Sequence, residues 1–159
     1  MFTVVAIFLV DKKGRKPLLY LGTAGMFVAL SVVGYAAYFH ITSSWLLPFL
    51  LLFMASFSIS WGPVVWVLLS EIFPNNVRSL ALSIAVFVQW VANFFVSQTF
   101  PVMIDNSILT STFHGAFPFI LYAGFCIIAF LFVLKYVPET KNKTLEEMNR
   151  LWEQELQIK

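Results

Sequence analysis

Apolar residues come in long blocks along this chain, and polar residues gather in the short breaks between them. The blocks fall at about 18–39, 45–69, 80–104 and 116–134. As helices rising roughly 1.5 Å per residue, each is long enough to cross a hydrocarbon layer of ~30 Å. A shorter apolar stretch, 1–10, would rise only ~15 Å. It is expected to be the closing half of a crossing that starts upstream. The pattern predicts an all-α, polytopic membrane helical bundle over 1–137 and a distinct tail over 138–159. Pro138 ends the last crossing, because proline lacks an amide hydrogen and clashes with the preceding turn.

The tail has a different rhythm. Thr144-Leu145-Glu146-Glu147 fits a capping box. Leu145, Met148, Leu151, Trp152 and Leu156 then recur at three- and four-residue spacing. A short amphipathic cytoplasmic helix is expected, its apolar face set against the inner loops or the membrane surface.

Composition agrees with lipid as part of the solvent. The chain is 60% hydrophobic and 11% charged, against about 25% charged in soluble domains. The formal net charge of +2 leaves no nucleic-acid footprint. The single cysteine, Cys126, sits in an apolar run, cannot form an intrachain disulfide, and is expected to be a buried or lipid-facing small residue. The positive charges near the start follow the apolar opening instead of preceding it, unlike a secretory signal.

Charge position matters more than charge sum. Lys12, Lys13, Arg15, Lys16, Arg78, Lys135, Lys141, Lys143, Arg150 and Lys159 all lie on alternate links or on the tail. The positive-inside rule then places the Asp11 link, the Glu71 link and the C-terminus in the cytoplasm.

Polar groups at membrane depth are costly unless they find partners or line a cavity. In the second full crossing, Ser58, Gly62, Trp66 and Ser70 fall at four-residue spacing and share one helical face. Gly62-Pro63 should break that helix beside a protein or aqueous cavity. Trp66 offers a flat apolar face and one donor, complementary to the C–H face and hydroxyl rim of a sugar. A lipid-interface tryptophan is the competing reading. In the third crossing, Gln89, Asn93 and Ser97 form a polar stripe. Their amides match a hydroxyl as donor and acceptor, or they hold neighbouring helices together. Trp90 could face the cavity or another helix.

His40 and His114, at span ends, read as solvated link positions, since a metal pair needs more ligands than are visible. No catalytic constellation and no phosphate-cradling glycine loop occurs, so neither enzymatic activity nor a cofactor is expected. Asp11 and Arg15, Glu71 and Arg78, and Glu139 and Lys141 put both signs of charge at each cytoplasmic junction. They suggest either solvated loops or a breakable ion-pair network, each exposed pair worth roughly 0–1 kcal/mol.

Together these motifs carry a resemblance. Asp11-Lys12-Lys13-Gly14-Arg15-Lys16 resembles the link between helices eight and nine of the sugar porter family, within the major facilitator superfamily. Gly62-Pro63-Val64-Val65-Trp66, Ser70-Glu71-Ile72-Phe73-Pro74 and Arg78 resemble its tenth helix and the loop after it. Gln89-Trp90 with Asn93 resembles its eleventh helix. Pro138-Glu139-Thr140-Lys141 and Thr144-Leu145-Glu146-Glu147 are similar to its C-terminal signature, with Asn142 standing where glycine is usual. The resemblance implies a twelve-helix fold, of which this chain holds the end of helix eight and helices nine to twelve. It implies transport of a monosaccharide such as xylose by alternating access, coupled to protons. Gly62, Trp66, Gln89, Trp90 and Asn93 would face the sugar. Asp11, Arg15, Glu71, Arg78 and Glu139 would form the inner ion-pair network. The expected partners are the sugar, lipid, protons and an N-terminal transporter portion, without which this chain would be inactive. The rival expectation is a stand-alone four-helix membrane protein that senses sugar or assembles with a partner.

Overall fold

A computed structural model of the chain describes residues 14–41, 44–73 and 75–137. The opening half-crossing, the tail helix, Asp11 and Glu139 fall outside the described residues. Among those described there are six α-helices and no strand. Four helical stretches are long and apolar enough to cross a membrane: Arg15–Tyr38, Leu47–Ile72, Asn75–Asp105 and Phe117–Tyr136.

Helix α1 (Arg15–Tyr38) starts after Gly14, whose φ of 91° lies where a side chain is disfavoured and glycine is not. A 3-10 turn (Ser44–Leu46) leads into α2 (Leu47–Ile59), and α3 (Val64–Ile72) continues the same crossing after a break. The break is the one that Gly62-Pro63 predicts. The Gly62 amide donates to the Phe57 carbonyl at 3.0 Å, one residue further back than in a regular helix, and the Val64 amide resumes the ladder on Ser60 at 3.0 Å. Then come α4 (Asn75–Asp105), α5 (Ser107–Phe113) and α6 (Phe117–Tyr136). Proline in the first turn suits the start of α6, where its missing amide hydrogen has no partner to lose.

Two features differ from the block pattern. The stretch from Ser70 to Ser79 reads as a link, yet Ser70 to Ile72 belong to α3 and Asn75 to Ser79 to α4. Hydropathy marks where lipid begins, whereas backbone hydrogen bonding carries the helix on into polar surroundings. Second, the polar link before α6 contains α5. The Asn106 side chain accepts from the Ile108 and Leu109 amides at 3.0 and 3.2 Å, an N-cap that satisfies two otherwise unpaired donors.

Helix α1 packs between α2–α3 on one side and α6 on the other. It meets α2 closely through small residues. A Cβ added at Gly22 would overlap the Ser60 side chain, and one at Gly25 would overlap the Ser56 hydroxyl. Such close backbone approach is how membrane helices gain packing energy when lipid supplies no hydrophobic drive between them. Leu18 and Leu19 of α1, Val64 and Leu68 of α3, and Val133 and Val137 of the α6 end form the buried cluster. Helix α4 lies outermost. It has no buried residue among those described and touches α6 through Phe100, whose ring lies 6.0 Å from Phe119 and 6.2 Å from Tyr122.

Candidate functional site

The helix break sets the first wall of a cleft. Phe57 of α2, Trp61 in the break, and Val65, Trp66 and Leu69 of α3 face Ala85, Gln89 and Asn93 of α4 across about 300 Å³. That volume is at the small end of ligand pockets, which run from about 300 to 1,000 Å³. The lining combines two indoles, two amides and aliphatic surface. It has flat apolar faces for ring C–H groups, and amides that can both give and accept hydrogen bonds.

Three of the residues singled out in the sequence therefore meet: Trp66, Gln89 and Asn93. Two do not join them. Gly62 forms the break but is absent from the lining, and a Cβ there would meet only its own preceding turn, 3.5 Å from the Phe57 carbonyl. Trp90 is 68% exposed and also lies off the lining.

Of the four-residue stripe Ser58–Gly62–Trp66–Ser70, Trp66 alone is on the cleft lining. The cleft wall runs through Phe57, Trp61, Val65 and Leu69 at four-residue spacing, with Trp66 beside Val65. Ser70 turns its hydroxyl back onto the Val67 carbonyl at 2.7 Å.

Trp61 is the residue that spacing missed. Its indole N–H donates to the Thr23 hydroxyl at 2.8 Å, and Thr23 in turn donates to the Leu19 carbonyl at 2.7 Å. The chain of bonds ties the break to α1 and fixes the indole at the cleft. Its position beside Gly62-Pro63 was the available signal.

At the end of the bundle where α1 starts, Arg15 Nη2 pairs with Glu71 Oε1 at 2.6 Å, joining α1 to the end of α3. The neighbouring Lys16 donates to the Leu134 carbonyl at 3.1 Å, a cation at the negative C-terminal end of α6. Arg78 donates through Nε to the Phe73 carbonyl at 3.2 Å, across the turn from α3 to α4. Two adjacent side chains of α1 thus hold two other helix ends, and a third cation closes the adjoining turn.

Apolar helices long enough to cross a membrane, one of them broken at proline beside a cleft that carries two amides on a mainly apolar lining, define a polytopic membrane helical bundle. The chain belongs to the Sugar (and other) transporter family, whose model matches residues 1–152. It is 52% identical over 154 residues to the D-xylose-proton symporter of Escherichia coli (strain K12), covering 97% of this chain and 31% of that protein. It is 43% identical over 153 residues to the arabinose-proton symporter of Bacillus subtilis (strain 168), covering 96% of this chain and 32% of that protein. Among solved structures, it matches the major facilitator superfamily proton:xylose symporter XylE bound to 6-bromo-6-deoxy-D-glucose, with a TM-score of 0.84 and 52% identity over 95% of this chain and 32% of that one. The chain spans about a third of the length of the relatives it matches, and its fold is a corresponding part of the major facilitator fold.

Proposed function

We propose that this chain supplies one wall of the sugar site, and part of the inner gate, of a proton-coupled monosaccharide transporter in the cell membrane. The observation that carries this reading is the meeting of Trp61, Trp66, Gln89 and Asn93 in one cleft beside a broken helix. Amides are poorly tolerated against lipid and well used against a hydroxylated ligand. Trp66 stacks on the apolar face of the sugar ring, and Gln89 and Asn93 bond its hydroxyls. Gly62 provides the break that points Trp66 inward. Trp90 meets the sugar only when further helices close over α4.

A pentose such as xylose is the proposed cargo, and protons the coupling ion. Similarity to xylose- and arabinose-proton symporters supports both. The positive-inside distribution of cations supports a cytoplasmic C-terminus. Arg15 and Glu71, with Asp11, Arg78 and Glu139, form the inner latch, which breaks each time the cytoplasmic side opens.

The test is uptake of labelled xylose by a strain lacking its own xylose transport. The strain expresses the full-length protein that carries this sequence, or this chain together with a matching N-terminal portion. A neutral hydrogen bond is worth about 0.5–1.5 kcal/mol, so Gln89→Ala should raise the half-saturating xylose concentration by about 2–10-fold. Trp66→Ala should reduce uptake at least as much. Uptake should also collapse when a protonophore dissipates the proton gradient. Uptake indifferent to both substitutions would remove the site assignment, and uptake indifferent to the protonophore would remove proton coupling.

A further inference from the structure

At the end of the bundle opposite the Arg15–Glu71 pair, the two histidines of the chain come together. His40 follows α1 and His114 caps α5, 74 positions apart in sequence (114 − 40). Their imidazole centroids lie 4.7 Å apart with an interplanar angle of 57°. Both residues are exposed, so an ion from solution can reach the rings.

The backbone holds both rings in place. Among the described residues, these are the two non-glycine positions with positive φ, 53° at His40 and 52° at His114. Each histidine closes a helix in the left-handed conformation common at C-termini, with the Ile41 amide on the Ala36 carbonyl at 2.9 Å after α1 and the His114 amide on the Thr110 carbonyl at 2.9 Å after α5, and this fixes where each imidazole leaves the backbone. The pair is also held from behind. Tyr38 sets its ring edge against His114 at 5.3 Å, and Phe39 packs on Tyr38 at 5.3 Å.

We propose that His40 and His114 form a two-imidazole site for a divalent transition-metal ion, of the zinc, nickel or copper class. Neutral imidazole is a favoured ligand for these ions. In this proposal the two imidazoles are the described protein ligands, and water takes coordination positions beside them. Such an ion clamps the turn after α1 to the turn before α6. It ties together two helix ends.

The test uses the purified full-length protein in detergent, stripped of metal with a chelator, with nickel and zinc chlorides as probes. Thermal unfolding and calorimetric titration are both read. The unaltered protein should bind one equivalent and melt at a higher temperature in the presence of the metal. His40→Phe and His114→Phe keep a packed ring but no ligand. Each alone should abolish both the binding and the metal-induced rise, and the double variant should look like either single. Binding that survives in the double variant, or a protein that takes up neither ion, would overturn the site. If a phenylalanine variant does not fold, histidine Cε1–H resonances of the unaltered protein decide the matter. They should move together on adding zinc, and unmoved resonances would overturn the proposal.

Discussion

Arg15 and Glu71 are 14% and 29% exposed at their side chains, so water screens their pairing less than it would on an open surface. A hydrogen bond to a charged group is worth about 1.5–3 kcal/mol. A double-mutant cycle of Arg15→Gln and Glu71→Gln, read by denaturant unfolding in mild detergent, should therefore give a coupling energy of about 1.5–3 kcal/mol. A coupling near zero would mean that the pair does not hold the helix ends. At this scale the sequence was informative about residue types and less so about their neighbours. The amides of Gln89 and Asn93 were conspicuous because lipid penalises them. Trp61 was not, because an indole is at home in either setting until a partner such as Thr23 is known.

At the scale of elements, the contact between α1 and α2 rests on glycine against serine. Adding a methyl group at Gly22 drives it into the Ser60 side chain, and overpacking of this kind costs about 1–3 kcal/mol. Gly22→Ala should lower stability by about that amount in the same unfolding assay. Gly124→Ala, where an added Cβ meets nothing within 4 Å, should leave it nearly unchanged. Equal effects of the two would refute the close-packing account. The long apolar helices were legible because hydropathy sums over many residues, and the break was legible because proline removes a donor. Helix α5 was missed. Its Asn106 cap lies among polar residues that read equally well as a link.

At the scale of the molecule, α4 carries the consequence. Gln89 and Asn93 are exposed on a helix with no buried residue, yet the sequence puts them at membrane depth. Polar side chains there need protein or a wet cavity beside them. On the function proposed above, further helices cover this side of α4, and the chain spans about a third of its relatives. The 159-residue chain reconstituted alone in liposomes should take up no more labelled xylose than empty vesicles. Co-expression with a matching N-terminal portion should restore uptake in cells. Uptake by the chain alone would show that alternating access does not need a second half.

By itself the sequence determined which stretches are helical, long and apolar enough to cross a membrane, where one of those helices breaks, and which links collect cations. Each of these follows from local free energies of transfer, backbone bonding and charge, which a residue carries whatever its distant neighbours are. Only the tertiary structure decided which residues meet: Arg15 with Glu71, Trp61 with Thr23, Gly22 with Ser60, His40 with His114, and Trp66 with Gln89. Those meetings depend on how far the break turns one helix half against the other and how closely backbones approach. Both are properties of several helices at once.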